Sequence, residues 1–358
     1  MTGGSMLDDD SVLVHTKGLA GYLTLNRPKA LNALNHAMVS RIDRALTEWE
    51  QDPAVRTVVL TGAGERGLCA GGDIRSIYED VRSGGGSASA AFWRAEYRLN
   101  ARIARYPKPY VAVMDGIVMG GGVGLSAHGS VRVVTERSRV AMPETGIGFV
   151  PDVGGTHLLA LAPGELGTHL ALTGAAVGAG DALRCGLADH FVPSDQLPSL
   201  VADLAGASGR DVLARYARPA PAGELDDCRE WIDRCYAADS VEEIVERLLR
   251  SGEPDAEDAA TTILARSPTA LKATLAALRS AARLGSLERA LEQEYRTSCA
   301  ALSAPDLVEG IRAQVIDKDR TPCWSPATLA EVADADTARF FAPLGDQELS
   351  LDAGGFTR

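Results

Sequence analysis

Apolar positions recur with a period of two in short runs over the first half of the chain and with a helical period over the second. Val12 and Val14, then Leu23 and Leu25, alternate with polar neighbours, so residues 11–26 read as two β runs around Gly18 and Gly21. Past Asn35, a good N-cap residue, Val39, Ile42, Leu46 and Trp49 fall on one stripe of a helix. Val55–Leu60 and Tyr110–Met114 are short apolar runs ending at glycine-containing turns, as buried strands do. Val131–Thr135 and Val140–Met142 are further strands, and Ser83-Gly84-Gly85-Gly86-Ser87 reads as a flexible link into a helix from about Ala90 to Arg105. After Phe191-Val192-Pro193 no strand pattern remains. Helix patterns at 224–237, 240–250, 256–266, 268–283 and 286–302 follow, with starts marked by Ser267-Pro268 and Ala304-Pro305. Arg218-Pro219-Ala220-Pro221-Ala222-Gly223 has linker composition. The pattern predicts an α/β core over residues 1–205, a sheet of ββα units covered by helices, and a helical C-terminal region over 206–358.

Composition narrows the function classes. A chain of 358 residues that is 46% hydrophobic can bury a large core. A net charge of −12 argues against nucleic acid as the main partner. No uninterrupted apolar stretch is long enough to cross a membrane. The six cysteines include no C-x-x-C pair and the six histidines no metal-ligand spacing, so reduced thiols and no metal are expected. Met1–Asp10 has neither a basic start nor an apolar run, so a cytoplasmic protein is expected.

Candidate chemistry clusters between residues 69 and 152. Cys69-Ala70-Gly71-Gly72-Asp73 and Met119-Gly120-Gly121-Gly122-Val123-Gly124 are two turns where glycine lets backbone N–H groups approach one ligand atom. Two such donors can hold an oxygen that gains negative charge in acyl-group chemistry. Pro143-Glu144 and Pro151-Asp152 add carboxylates able to act as nucleophile, base or polar grip. Taken singly, each feature has a plainer account. The glycines suit tight turns, Glu144 suits the first turn of a helix, Asp152 suits an N-cap near Gly154–Thr156, and Glu96 suits a solvated helix face. Gly62–Gly67 fits G-x-G-x-x-G after a strand, but no helix follows at once and no acidic residue is placed to hold a ribose.

The ordered set, with Leu25-Asn26-Arg27-Pro28-Lys29-Ala30-Leu31-Asn32-Ala33-Leu34, Thr61–Gly64 through Asp73-Ile74, Tyr110–Ser126 and Met142–Thr156, resembles the crotonase (enoyl-CoA hydratase/isomerase) superfamily. Cys69–Ile74, Glu96-Tyr97-Arg98-Leu99-Asn100, Met119–Ser126, Met142–Thr145, Pro151–Gly155 and Val315-Ile316-Asp317-Lys318-Asp319 resemble its 3-hydroxyisobutyryl-CoA hydrolase branch, over roughly residues 11–330. The resemblance implies a crotonase-like spiral of ββα units followed by helices covering an acyl-CoA site. It also implies an acyl-CoA thioester as partner, no metal or redox cofactor, a possible homo-oligomer, and a place in valine catabolism. By the same resemblance, the N–H groups of Gly72 and Gly121 form an oxyanion pair. Glu144 and Asp152 then complete the catalytic set, with Glu96, Gly121, Glu144 and Asp152 contacting substrate. Glu144, enclosed by Met142, Ile147, Phe149 and Val150, would attack the carbonyl or act as base on a water. The first of the two glutamates that hydratases use to hold water falls on Gly124. The expected reaction is therefore hydrolysis of a short 3-hydroxyacyl-CoA, with hydratase or isomerase activity, or silent acyl-CoA binding, as the rivals.

Overall fold

The computed structural model describes residues 10–207 and 209–351; the reading of Met1–Asp9 lies outside the described residues. Strands β1 (Val12–Lys17) and β2 (Ala20–Leu25) form the predicted hairpin, with Val12 opposite Leu25 and Lys17 opposite Ala20. Gly18, at φ +58°, makes the turn. Gly21 instead lies inside β2, where a Cβ would come 2.6 Å from the indole of Trp49. That indole belongs to helix α1 (His36–Gln51), which starts as predicted: the Asn35 side chain accepts the Met38 N–H at 2.9 Å. Its stripe of Val39, Ile42, Leu46 and Trp49 is buried.

The chain then winds through repeated turns, each giving one strand to each of two sheets. β3 (Thr57–Gly62) leads to β4 (Gly67–Cys69), helix α2 (Ile74–Gly84) and helix α3 (Ser87–Ala104). β5 (Tyr110–Met114) leads to β6 (Ile117–Met119) and helix α4 (Gly121–Ser126). β7 (Val131–Val134) leads to β8 (Arg139–Ala141), a 3-10 turn at Glu144–Ile147, and helices α5 (Gly155–Ala160), α6 (Leu166–Thr173) and α7 (Ala179–Arg184). β9 (His190–Phe191) closes a six-stranded sheet of order β1-β2-β3-β5-β7-β9, beside a parallel sheet β4-β6-β8. The short strands β4 and β6 carry too few residues to show a period and leave no sequence signal. Residues 83–87 form a pinned turn rather than a flexible link. Gly85 and Gly86 take φ of +69° and +86°, and the Asp80 carboxylate accepts both the N–H and the Oγ–H of Ser89 at 2.7 Å. Helix α3 therefore starts at Ser87, three residues early.

Beyond β9 the described chain is helical. α8 (Leu197–Asp203) and α9 (Gly209–Tyr216) cover one face of the larger sheet, with Leu200, Leu204, Val212 and Leu213 packed on Val59, Val111 and Val133. There follow α10 (Leu225–Tyr236), α11 (Val241–Leu249), α12 (Pro254–Leu264), α13 (Pro268–Leu284), α14 (Leu287–Ala301) and α15 (Pro305–Ile311). Ser240, Ser267 and Ser286 cap α11, α13 and α14 through their hydroxyls. One apolar core runs from Val12 to Leu349. Within it α14 packs on α3 and α5, and α15 on α2 and the 144–147 turn. Helices of the second half thereby reach the carboxyl ends of the short sheet.

Candidate active site

The register of the three-stranded sheet assembles the site. Cys69 pairs with Val118, and Met119 with Ala141, so the carboxyl ends of β4, β6 and β8 lie side by side. Gly72, Gly121 and Glu144 each follow such an end by two or three residues. The backbone of Leu34 clamps the first turn: its N–H donates to the Gly71 carbonyl at 2.9 Å and its carbonyl accepts the Asp73 N–H at 2.8 Å. Arg27 pairs with Asp73 at 2.9 Å on the outer side. The Gly72 N–H between these clamps, and the Gly121 N–H at the first residue of α4, donate to no described residue. Glycine is required at the second turn: a Cβ on Gly121 would lie 2.6 Å from Glu96 Oε1, and one on Gly122 would strike the Cys69 carbonyl.

These turns open on a cavity of about 260 Å³. Its apolar walls are Ile74, Ile77, Phe92, Trp93, Ile147, Phe149 and Leu307. Its polar residues include Glu96, Glu144, Asp152, Arg266 and Gln314. All five sequence-predicted site residues line this one cavity. Glu96 and Glu144 are 1% and 6% exposed, and Glu96 Oε1 and Glu144 Oε2 have no hydrogen-bond partner among the described residues. Burial holds both carboxyls well above the usual range, and the neighbouring Asp152 raises them further. Burial pushes Asp152 up to about 7, although the Tyr97 hydroxyl, donating to its Oδ2 at 2.6 Å, pulls it back. Burial thus favours the protonated form of all three carboxyls, and the charge of Asp152 adds to that for Glu96 and Glu144.

Several plainer accounts fail here. Asp152 does not cap α5. Buried Glu294 does so, accepting the N–H of Gly154 at 2.6 Å, the N–H of Thr156 at 2.9 Å and the Thr156 hydroxyl at 2.5 Å. Glu96 is not a solvated charge. Glu144 does open a short helical turn, but its carboxyl lines the cavity. Its expected enclosure is half right: Ile147 and Phe149 line the cavity, whereas Met142 and Val150 are buried in the core behind it. Gly124 is closed off, since a Cβ there would come 2.6 Å from Val153 Cβ and 2.9 Å from Asn100 Nδ2.

Sequence reasoning assigned no role to Tyr97, Glu294, Ser298, Arg266 or Gln314. Glu294 and Ser298 did leave a signal: with Leu287, Leu291 and Ala301 they occupy the buried stripe of α14, where polar residues need a partner. Arg266 donates through Nε and Nη2 to the Thr173 carbonyl at 3.2 and 2.7 Å and has no acidic partner among the described residues. Gln314 enters on a π turn at Arg312–Ile316. No group of three or more His, Cys, Asp or Glu among the described residues could hold a metal, and no described helix is long and apolar enough to cross a membrane.

Comparison with known proteins agrees on the fold. The family model described as enoyl-CoA hydratase/isomerase matches residues 20–341. The chain is 44% identical over 351 residues to a Gallus gallus protein described as 3-hydroxyisobutyryl-CoA hydrolase, mitochondrial, covering 95% of this chain and 91% of that one. A Danio rerio protein of the same description is 45% identical with the same coverage. A crystal structure described as carnitinyl-CoA dehydratase from Mycobacterium thermoresistibile superposes with a TM-score of 0.93 at 53% identity, covering 97% of this chain and all of that one. One described as enoyl-CoA hydratase from Rhodobacter sphaeroides 2.4.1 gives 0.90 at 46% identity, covering 95% and 99%. The chain thus has the crotonase fold expected from its motifs. The descriptions of these relatives divide between a CoA hydrolase and a CoA dehydratase or hydratase.

Proposed function

The chain belongs to the enoyl-CoA hydratase/isomerase family, and from that premise we propose that it hydrolyses a short 3-hydroxyacyl-CoA thioester, 3-hydroxyisobutyryl-CoA to 3-hydroxyisobutyrate and coenzyme A. The observation that carries this choice is position 124. Hydratases of the resembled type hold one water between two glutamates, and by that resemblance the first falls on Gly124, which is packed against Val153 and Asn100 with no room for a side chain. Hydrolysis needs one carboxylate beside a pair of oxyanion donors, and Glu144 stands beside the free N–H groups of Gly72 and Gly121.

In this mechanism the thioester oxygen accepts both N–H groups, which strengthen their hold as the carbonyl carbon becomes tetrahedral and the oxygen negative. Glu144 attacks that carbon, the C–S bond breaks and coenzyme A leaves as a thiolate; water then opens the mixed anhydride, restoring the Glu144 carboxylate and giving a carboxylic acid whose proton passes to the thiolate. In the alternative route Glu144 takes a proton from water, which attacks directly. Both routes consume one water and need no metal or redox group. Glu96 and Asp152 line the acyl pocket, and at least one of them accepts a hydrogen bond from the substrate's 3-hydroxyl; a place in valine catabolism is what the family resemblance implies. We also propose a cytoplasmic location; the vertebrate relatives are described as mitochondrial, and cell fractionation distinguishes the two compartments. Purified protein should release free thiol from 3-hydroxyisobutyryl-CoA and 3-hydroxypropionyl-CoA in the presence of a chelator. Loss of activity on chelation, with recovery on adding a divalent ion, would overturn the metal-free mechanism.

A further inference from the structure

We propose that Ser298 and Tyr97 form a hydrogen-bond relay that orients the Asp152 carboxyl into the cavity and favours its ionised form against the effect of burial, and that Glu294, one turn away on the same helix, fixes the loop carrying it. These are positioning residues, and the inference rests on the reading of Asp152 as a substrate contact. Asp152 precedes Val153, a β-branched residue at φ +54°, a backbone region that such residues rarely adopt. Something must hold that conformation. Glu294 grips the following turn through the N–H groups of Gly154 and Thr156, and His128 Nε2 lies 2.7 Å from the Val153 carbonyl oxygen. Four residues on from Glu294, Ser298 Oγ lies 2.7 Å from the Tyr97 hydroxyl, which donates to Asp152 Oδ2 at 2.6 Å. Because the phenol's proton is committed to Asp152, its oxygen is left to accept from Ser298, and the three groups run Ser298 to Tyr97 to Asp152. Tyr97 is fully buried, edge-on to Tyr295, so water does not replace it.

The relay matters because of what else faces Asp152. Glu96 from α3, Glu144 from the turn after β8 and Glu294 from α14 are all carboxyl groups that Asp152 pushes toward their protonated forms, while burial pushes Asp152 itself the same way. Among the described residues, Tyr97 is the side chain that donates a hydrogen bond to Asp152, and a donor favours the charged form. A helix from the second half of the chain thereby controls a residue of the acyl pocket.

Tyr97→Phe removes one oxygen and keeps the ring. The acid limb of its pH profile for kcat/KM should move up by about one pH unit, so the deficit is about tenfold larger at pH 6 than at pH 9. Preference for 3-hydroxyisobutyryl-CoA over isobutyryl-CoA should narrow by a similar factor at the lower pH. Ser298→Ala should shift both in the same direction by less, and Ser298→Thr, which keeps the hydroxyl, should restore them. Carbon-13 NMR of Asp-labelled protein, with the Asp152 signal assigned by Asp152→Asn, reads the same shift without turnover. An upward move of that midpoint in Tyr97→Phe supports the relay even if the wild-type protein hydrolyses no thioester, in which case the proposed function fails by itself. Unchanged midpoint and preference, with only a lower melting temperature, would make Tyr97 and Ser298 packing residues and overturn the proposal. If Tyr97→Phe does not fold, the Ser298→Ala and Ser298→Thr pair decides by the same readouts.

Discussion

Glu144→Gln separates chemistry from architecture more cleanly than any other change at the site. Its carboxyl is buried, Oε2 has no partner among the described residues, and its neighbours in the cavity include two more carboxyls. Replacing it by an amide of nearly the same shape removes no hydrogen bond that Oε2 makes, and it relieves repulsion with Asp152. Stability should be unchanged or higher, in contrast to the usual cost of altering a buried polar group. Turnover is another matter. Losing a general base or nucleophile costs about 10²–10⁴-fold, or roughly 3–5 kcal/mol of barrier. The amide can neither attack the thioester nor take a proton from water. KM should move little, because the oxyanion donors and apolar walls remain. Thiol release under saturating 3-hydroxyisobutyryl-CoA measures kcat, and a thermal melt on the same preparation measures the fold. Turnover within tenfold of wild type would refute the role of Glu144. A comparable loss accompanied by a collapsed melting temperature would show that the carboxyl is structural.

Three further outcomes follow from the same geometry. Isobutyryl-CoA, which lacks the hydroxyl, should be hydrolysed at least about a hundredfold more slowly than its 3-hydroxy counterpart, since a site built for a hydroxyl is left with unpaired groups; Asp152→Asn and Glu96→Gln should each narrow that gap, and equal specificity constants in wild type would eliminate hydroxyl recognition. Gly124→Glu should not create an efficient hydratase and should lower stability by about 2 kcal/mol or more, because the side chain meets Val153 and Asn100; a well-folded variant that hydrates crotonyl-CoA briskly would contradict the packing at this position. Asp152 binds its proton more tightly folded than unfolded, so its contribution to stability should be lost as pH rises from about 4 to about 7, read in denaturant titrations as the difference in slope between wild type and Asp152→Asn across the interval. An Asp152→Asn slope identical to wild type would remove Asp152 from the titrating set.

Much of the site was legible because its parts recur in chain order at strand ends. Gly72, Gly121 and Glu144 follow β4, β6 and β8, and the glycine turns announce themselves even where β4 and β6, of three residues each, do not. The pairing that makes them neighbours is a long-range register no periodicity reveals. The long helices were read correctly where cap and stripe agreed, as at Asn35 and Ser267. Glycine composition misled at 84–86, since it does not distinguish a flexible link from a turn held by Asp80. Asp152 shows a different limit. From sequence it suits a cap for α5, and only the position of Glu294, some 140 residues on, shows that the cap comes from elsewhere. Tyr97 and Ser298 act through each other across 201 residues, so neither position carried the role by itself.

The central claim is that this cavity cleaves a thioester rather than hydrating a double bond. It is tested most directly by following one preparation of wild-type protein through two channels: free thiol released from 3-hydroxyisobutyryl-CoA, and loss of enoyl absorbance with crotonyl-CoA. The geometry at Glu144 and Gly124 predicts fast thiol release and very slow hydration, with thiol release abolished in Glu144→Gln. Brisk loss of enoyl absorbance with no thiol released from the hydroxyacyl substrate would contradict it.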